Sequence, residues 1–283
     1  MMMQTEKRNV GRRNRFGSLL ADWRRLRRVS QMTLAMDAEI SQRHLSFMES
    51  GRARPSREVV LTITEALDML LRARNELLDA AGFAGWYPER PLEGAEMDRV
   101  RETLRRILEH HEPYPAMVLD RSWNILMKND ASKRIISHFL DEPAMAQLSP
   151  DGRPNFIRIT FHPKGLRPHV RSWARTAPIL IGRLRREAAA YPGSPSKSLL
   201  RELLPGASAR FIAGIDDAPL APTVALEVEI GDEVLRLFNT LTTFGTPQDV
   251  TLQELRIEMS FPADDASDAL LRRWAAQTGD RVG

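Results

Sequence analysis

The chain has 283 residues, enough for two domains, and its 41 Lys and Arg against 37 Asp and Glu leave a net charge of only +4. It contains no cysteine, which excludes disulfides, thiolate metal sites and thiol nucleophiles. The basic start lacks the apolar segment of a secretory signal, and no apolar run approaches the ~20 residues of a membrane span, so we expect a soluble, cytoplasmic protein without a membrane partner.

Positive charge is concentrated near the N-terminus. Residues 1–60 contain 13 Lys and Arg against 6 Asp and Glu, a net charge of +7, which leaves −3 for the remainder. Such asymmetry is typical of a module that binds phosphates. For the cluster Arg24–Arg28 taken alone, a solvated helix face is an equally good interpretation.

Two short helices around a tight turn are predicted next. Ser30 precedes a helix of about Gln31 to Asp37, the turn runs through Ala38–Ile40, and a second helix of about Ser41 to Glu49 ends before Gly51. Both serine hydroxyls suit N-caps. The residues expected to face inward are Leu34, Ala35, Ile40, Leu45 and Met48. This spacing predicts a helix-turn-helix.

Polar residues at the front of the second helix are not needed for its core. Gln and Arg form bidentate contacts with adenine and guanine edges, so Gln42 and Arg43 are expected to read bases of a double-stranded DNA operator. Gln31, Arg52 and Arg54 are expected to hold phosphates. The full set of expected DNA-binding residues is Gln31, Ser41, Gln42, Arg43, His44, Ser46, Arg52 and Arg54. A helical hairpin in an enzyme core, the alternative, leaves these polar residues unexplained.

The segment SQMTLAMDAEISQRHLSFMESGRARPS, residues 30–56, resembles the helix-turn-helix of the phage-repressor-like bacterial regulators called the XRE family. One position departs, since that family usually has glycine in the turn where this chain has Glu39. A residue other than glycine at positive φ costs of order 1 kcal/mol. We therefore expect the turn at Glu39 to be strained or differently shaped.

Helices of about Glu58–Leu71 and Arg74–Ala81 are predicted to complete an all-α DNA-binding domain at residues 12–82, with Gly82 ending the last helix. Glycine and proline are dense over residues 83–94, which indicates a linker. A helix of about Ala95–His111 follows, and it suits a signalling or dimer helix as well as a cover for a second core.

Beyond this helix the hydrophobic period changes from helical to alternating. Strands are expected at about Ala116–Leu119, Asn124–Lys128, Val224–Ile230 and 255–261, and a further strand within GDEVLRLFNTLTTFG, residues 231–245, after a hairpin turn at Gly231–Asp232. A helix through Ala131–Leu140 and a final helix of about Asp264–Ala276 are also expected. Five strands, two before and three after a helical insert, predict a five-stranded antiparallel sheet covered by helices. The element order is similar to a PAS-like α+β sensor domain, here at residues 95–278.

Three segments of this second domain, EPYPAMVLDRSWNILMKNDAS, NFIRITFHPKGLRPHVRSWARTAPILIGRLRREAA and FGTPQDVTLQELRIEMSFPAD, look like the ligand-binding domain of MmyB-like transcription regulators. The resemblance spans the chain from about Phe16 to Asp264. It implies a PAS-like domain that holds a small apolar ligand such as a fatty acid.

The segment Asn155–Arg175 mixes aromatic and basic residues densely. Aromatic side chains there can line an apolar pocket, and basic ones can anchor a carboxylate by charge-assisted hydrogen bonds. The expected ligand-binding residues are Arg158, Phe161, His162, Trp173 and Phe238. For any single one of them, a place in the core or in solvent is the simpler interpretation.

No catalytic residue, metal site or cofactor is predicted, so the chain is not expected to be an enzyme. His110 and His111 are adjacent and point to different helix faces, which is wrong for a metal pair. Ser194 and Lys197 match Ser-x-x-Lys in a Pro/Gly-rich loop without the companion motifs of penicillin-recognising enzymes.

The preferred interpretation is a ligand-responsive transcription regulator that binds a two-fold operator as a homodimer, with half-sites about one helical turn apart. One alternative is a repressor that cuts itself after Ala81 or Ala84 with a serine and Lys164 or Lys197. Another is a regulator whose second domain only dimerises or docks proteins.

Overall fold

The computed structural model describes residues 15–149, 152–191, 193–204 and 225–279. The chain forms two compact units, each built from more than one stretch of sequence. The N-terminal unit is Met1–Arg90 with Thr246–Gln253, and the C-terminal unit is Pro91–Gly245 with Glu254–Gly283. The boundaries expected from the sequence followed the chain without interruption, so the place of Thr246–Gln253 in the first unit is a difference that the structure reveals.

The first stretch of the N-terminal unit forms five helices between residues 15 and 81. Its helices are α1 (15–26), α2 (Gln31–Asp37), α3 (Gln42–Glu49), α4 (Arg57–Ala66) and α5 (Leu71–Ala81). The predicted helix-turn-helix is α2 and α3. Helix α4 ends before the predicted Leu71 because Asp68 adopts a left-handed φ of 45°, and α5 begins three residues earlier than predicted. Gly82, with a φ of 93°, ends α5 as expected.

Serine hydroxyls begin three of these helices. Ser30 accepts a hydrogen bond from the Thr33 N–H, Ser41 accepts one from the His44 N–H, and Ser56 does the same at α4. Such a cap contributes ~1 kcal/mol. Below the caps the predicted inward residues pack in the core, with Leu34, Ala35, Leu45 and Met48 buried and Ile40 half-buried.

Helix α1 approaches the end of α3 closely because Gly17 has no side chain. A Cβ at Gly17 would lie 2.3 Å from the carbonyl oxygen of Glu49. Any larger residue at this position would force α1 away from α3, so glycine sets the packing of the helix-turn-helix against α1.

The C-terminal unit is an α+β domain. After a 3₁₀ turn at Ala95–Met97, its elements are α6 (Asp98–His110), β1 (Ala116–Leu119), β2 (Ile125–Lys128), α7 (Asp130–Phe139), α8 (Glu142–Gln147), α9 (Phe156–Phe161), a 3₁₀ turn at Arg167–His169, α10 (Trp173–Ala190), α11 (Ser196–Leu203), β3 (Leu226–Ile230), β4 (Glu233–Thr242), α12 (Val250–Glu254), β5 (Arg256–Pro262) and α13 (Asp265–Gly279). Helix α12 lies almost wholly in the segment assigned to the N-terminal unit. The predicted strand start at Val224 lies outside the described residues. Within the described ranges, no helix has both the length and the apolar character needed to cross a membrane.

The five strands form one antiparallel sheet in the order β2-β1-β5-β4-β3, which confirms the predicted sheet. Strands β3 and β4 are joined by the predicted two-residue hairpin, since Ile230 pairs with Glu233 and Gly231 has a φ of 60°. A helical segment separates β2 from β3, and it supplies the cover of the sheet.

One face of the sheet packs on this helical segment. Met117 and Leu119 on β1 join a buried cluster with Trp123, Ile157 and Leu184. Because side chains alternate along a strand, Val118 and its partner Ile257 point to the opposite face. Near the other edge of the sheet, the second apolar cluster is formed by strand residues Val228, Ile230, Leu235 and Leu237 with Leu270 and Leu271 of α13. The apolar interior is therefore filled by side chains.

The turn at Glu39 is left-handed, with a φ of 54°, which is the strained one of the two outcomes left open by the sequence. The side chain is exposed, and the turn is closed by hydrogen bonds from the Glu39 N–H to the Met36 carbonyl and from the Ile40 N–H to the Ala35 carbonyl. The turn is therefore strained locally but keeps the shape of the helix-turn-helix.

We expect Glu39→Gly to raise the free energy of unfolding of the N-terminal unit by about 0.5–1 kcal/mol, because glycine adopts positive φ without the steric cost. Urea denaturation of the full chain measures the change. Asp37→Gly, inside helix α2, is the matched control and should lower stability by a similar amount. Equal destabilisation by both changes would show that the turn is not strained.

Candidate functional site

The front of α3 is polar and exposed. Gln42 and Arg43 are exposed, and His44 and Ser46 are half-buried. Within the described part of the chain, Gln42 makes no hydrogen bond, and the Arg43 guanidinium lies over the Phe47 ring at 5.3 Å. The hydroxyl oxygen of Ser41 accepts one hydrogen bond as the helix cap, and its O–H can still donate to another acceptor. These groups can donate to base edges and phosphates.

The loop after α3 adds two cationic side chains. Gly51 takes a φ of 72° as predicted, and the N–H groups of Arg52 and Ala53 both donate to the Phe47 carbonyl. This places the exposed side chains of Arg52 and Arg54 next to α3. We call Ser41, Gln42, Arg43, His44, Ser46, Arg52 and Arg54 the α3 surface.

A carboxylate holds this surface in place from behind. Glu49 accepts hydrogen bonds from Arg24 Nε at 2.7 Å, from Arg24 Nη2 at 3.1 Å and from Gln31 Nε2 at 2.6 Å. Burial alone would raise the pKa of Glu49, but the hydrogen bonds from Arg24 and Gln31 outweigh it, so the pKa lies below its usual value. Helices α1, α2 and α3 are tied together by this one side chain.

The same hydrogen bonds show what Gln31 and the Arg24–Arg28 cluster, both considered for phosphate binding from the sequence, contact in the structure. Gln31, expected on a phosphate, donates one N–H of its amide to Glu49 and has a second N–H left to offer. In the Arg24–Arg28 cluster, Arg24 pairs with Glu49, and Arg27 donates to the carbonyls of Leu67 and Asp68. Those two arginines bond within the protein, so they fit neither the phosphate contact nor the solvated helix face that the sequence suggested for this cluster.

In the C-terminal unit, three of the five ligand candidates line one cavity of about 610 Å³. The cavity lies between α8, α9 and α11, outside the filled apolar interior. Its lining comprises Gln147, Leu148, Arg158, Phe161, His162, Pro163, Arg167, Glu202 and Leu203. The structure thus brings Arg158, Phe161 and His162 together, as the sequence led us to expect.

The charged groups of this cavity are arranged in pairs. Arg158 donates Nε to Glu202 Oε1 at 2.9 Å and Nη2 to Glu202 Oε2 at 3.1 Å. The Arg167 guanidinium lies 5.6 Å from the Trp173 ring, and Phe161 packs edge-on against that ring at 5.0 Å. His162 Nδ1 accepts from the Lys164 N–H. Trp173 therefore supports the wall through Phe161 and Arg167.

The fifth ligand candidate lies elsewhere. Phe238 follows Leu237 on β4, and Leu237 packs under α13, so alternation turns Phe238 to the opposite face of the sheet. There it stacks on Phe261 with ring centroids 5.3 Å apart. The structure separates Phe238 from the other four candidates.

Sequence reasoning missed the α8 and α11 side of the cavity. Glu202 is 44 residues from Arg158, and no spacing rule pairs residues that far apart. The sequence offered one signal for this side of the cavity. In SKSLLREL, Leu199, Leu200 and Leu203 have helical spacing and lie beside a glutamate, which indicates an amphipathic helix.

The serines and histidines that the sequence analysis considered for catalysis or metal binding are engaged in other hydrogen bonds. Ser196 Oγ donates to Glu187 at 2.8 Å, and Ser194 Oγ accepts from the Ser196 N–H. The adjacent histidines bind backbone carbonyls separately, His110 that of Arg106 and His111 that of Ser260. Across the ranges that the structure describes, no three His, Cys, Asp or Glu side chains are grouped as metal ligands would be.

Charged groups, most of them half-buried, lie on the inner face of the sheet beside Trp123. The Trp123 ring lies 4.5 Å from the Arg183 guanidinium and 4.9 Å from that of Arg256. Glu187 accepts from both arginines and from Trp123 Nε1. Glu258 is buried, and Asn239 Nδ2 donates to it at 2.6 Å. Burial raises the pKa of Glu258 to about 7, against the opposing effects of Arg183, Asn239 and Arg256.

Comparison with known proteins gives two family matches. Residues 100–273 match the model described as the MmyB-like transcription regulator ligand binding domain, and residues 15–77 match that of a helix-turn-helix domain. No curated protein matches the chain.

Two solved structures were also compared. The clp gene regulator ClgR from Corynebacterium glutamicum is 25% identical, with a TM-score of 0.23, over 36% of this chain and 95% of its own. An RNA-binding Light-Oxygen-Voltage receptor is 11% identical, with a TM-score of 0.28, over 98% of this chain and 67% of its own. At these TM-scores neither structure informs the fold or the function.

The buried Glu258 predicts a pH dependence of stability. Its pKa in the folded protein is about 7 and its ordinary value is 4.5, so the folded state binds the extra proton between these values. Stability from the neutral acid is therefore fully present below pH 4.5 and is lost as the pH rises through 7.

Glu258→Gln keeps the acceptor for Asn239 and has no proton to lose. Relative to wild type, we expect the variant to gain roughly 2–3 kcal/mol of stability between pH 5 and pH 8. Urea denaturation of the full chain at both pH values measures the gain, with the exposed Glu229→Gln as control. The same difference from wild type at both pH values would contradict the raised pKa.

Proposed function

The chain belongs to the MmyB-like transcription regulator family, and from this premise we propose that its α3 surface reads a specific operator while its C-terminal unit senses a fatty acid. The helix-turn-helix makes the chain a DNA-binding transcription regulator, and the second domain is one that binds a small molecule. The proposal includes no catalytic step and places the protein in the cytoplasm.

The observation that carries the DNA part is the α3 surface. Its exposed groups are hydrogen-bond donors or cations, and the carboxylate at the end of α3, Glu49, is paired with Arg24. Gln42 and Arg43 lie at the N-terminal end of α3, the part of a recognition helix that contacts base edges. Arg52 and Arg54 are placed to hold the phosphates that set its register.

We extend the proposal to a homodimer on a two-fold operator. One recognition helix contacts only a few base pairs, and two copies one helical turn apart double the sequence that is read.

The ligand part of the proposal rests on the cavity of about 610 Å³. Leu148, Phe161 and Leu203 offer an apolar wall, and Arg158 lies at the same cavity. Burying methylenes contributes ~0.8 kcal/mol each before ordering costs, so a medium or long acyl chain reaches micromolar affinity. The carboxylate head would take the place of Glu202 on Arg158.

Replacing Arg43 with alanine should weaken binding to the preferred duplex by about 1–3 kcal/mol and to random duplex by much less, because base contacts carry the specificity. The duplex is first selected from random sequences by the full chain, and fluorescence anisotropy then measures both affinities. Gln42→Ala should behave in the same way.

Arg52→Ala is the contrasting variant, since a lost phosphate contact weakens both duplexes alike and lowers the salt slope by about one. Arg99→Ala, exposed on α6, is the control that should change neither affinity. If Arg43→Ala lowers the affinity for both duplexes equally, Arg43 contacts phosphates and not base edges.

Titrating the full chain with fatty acids of about 8 to 18 carbons should show affinity that rises with length and then levels off where the cavity is full. Calorimetry measures the affinities. Arg158→Ala should weaken binding of the acid about 10- to 100-fold and leave its methyl ester unaffected, because only the acid forms the charge-assisted bond.

Glu202→Gln tests the same anchor in the opposite direction. It removes the carboxylate that now occupies Arg158, so the acid should bind more tightly and the ester should not. If the acid and the ester respond alike to both variants, the head is not held by Arg158. If affinity does not depend on chain length, the second domain is better understood as a dimerisation or docking module.

A further inference from the structure

The connection between β4 and β5 is much longer than the sheet requires. Neighbouring antiparallel strands can be joined by two residues, as β3 and β4 are at Gly231–Asp232. Strands β4 and β5 pair up to Thr242 and Ile257, yet residues 243–255 lie between them. The connection contains helix α12 (Val250–Glu254), so it is a folded element and not a simple turn.

This connection belongs to the N-terminal unit over Thr246–Gln253. We call Thr246–Gln253 the inserted segment. The chain thus leaves the sheet of the C-terminal unit at the end of β4, contributes to the DNA-binding unit, and returns as β5. The inserted segment of the N-terminal unit is therefore connected along the chain to β4 on one side and to β5 on the other, and these two strands are hydrogen-bonded neighbours in the C-terminal unit.

The inserted segment is anchored at several points within the N-terminal unit. Val250 is fully buried and its N–H donates to the Pro88 carbonyl at 2.9 Å. Thr251 Oγ1 donates to the Arg90 carbonyl at 2.7 Å, and Arg90 Nη1 reaches Asp249 Oδ2 at 3.1 Å. The Asp249 side chain is only 4% exposed. These bonds tie backbone to backbone as well as charge to charge.

The most telling bond is at the start of α5. Leu70, its N-cap residue, has no side chain that can cap the helix. Gln253 supplies the acceptor from 182 residues away, because its Oε1 accepts from the Leu71 N–H at 2.7 Å. A helix of the DNA-binding unit is therefore capped by the residue at which the chain returns toward β5.

We propose that the inserted segment couples the sheet of the C-terminal unit to the DNA-binding unit. A displacement of β4 against β5 acts directly on the Gln253 cap of α5, and DNA binding acts back on the two strands through the same bonds. Coupling of this kind is reciprocal, so it is measurable from either end. The proposal rests on the proposed function for the identity of the ligand, but its first test needs DNA alone.

The first test is hydrogen exchange of β4 and β5 in the full chain, with and without the selected duplex. In wild type, the duplex should change exchange in both strands, and in Gln253→Ala this change should be lost. Gln253→Glu keeps an acceptor for the Leu71 N–H and should retain the response. Gln248→Ala, the same chemical change at an exposed residue of the same segment, is the matched control and should also retain it.

If Gln253→Ala does not fold, Thr251→Val replaces it, because valine keeps the shape of threonine and cannot donate to the Arg90 carbonyl. Strands that do not respond to the duplex in wild type would overturn the proposal. A response that survives in the folded Gln253→Ala or Thr251→Val variant would overturn it as well.

The second test uses palmitate. Palmitate should change the affinity of wild type for the duplex by a factor in the range of about 5- to 150-fold, and this factor should fall toward one in Gln253→Ala while palmitate still binds. If palmitate has no effect on wild type but β4 and β5 still respond to the duplex, the fatty-acid assignment fails and the coupling stands. A palmitate effect of unchanged size in Gln253→Ala overturns the coupling.

Discussion

The carboxylate of Glu49 is the point on which the orientation of the reading helix depends. It sits at the end of α3 and binds Arg24 of α1 and Gln31 of α2, so three helices share one anion. A side chain with little exposure needs all of these donors, since removal of one partner would leave a buried charge uncompensated. Because the bonds of Glu49 fix the orientation of α3, the side chains of the α3 surface can stay exposed without further hydrogen bonds to the protein.

The C-terminal unit handles buried charge differently. Around Trp123, two arginines share Glu187, and Glu258 lies nearby with its pKa raised by burial to about 7. In the first unit the hydrogen bonds outweigh burial and the acid stays ionised, whereas in the second burial wins. The difference follows from the number of donors, since Glu49 accepts three hydrogen bonds, two from the Arg24 guanidinium and one from the Gln31 amide, whereas Glu258 accepts one, from Asn239.

Features encoded by neighbouring residues could be predicted from the sequence. The caps at Ser30 and Ser41, the left-handed turn at Glu39 and the hairpin at Gly231 depend on one to four residues each, and the structure has them. The sheet was predictable as five antiparallel strands because alternation marks each strand by itself. The pairing of Arg158 with Glu202, the separation of Phe238 from the cavity and the cap of α5 by Gln253 were not predictable. They depend on contacts between residues tens or hundreds of positions apart, for which a single sequence carries no local signal.

The paired charges of the cavity bear on how a sensor of this kind selects its ligand. An acid that binds at Arg158 exchanges one carboxylate for another, because Glu202 already makes two hydrogen bonds there. The head therefore gains much less than it would on an unpaired arginine, and the net affinity must come from burial of the chain. Under the proposed function, the apolar wall of Leu148, Phe161 and Leu203 then sets the preferred length. Under the same proposal, release of Glu202 distinguishes the bound from the empty state. Glu202 lies on α11, which packs on α10 beside the half-buried charges at Trp123.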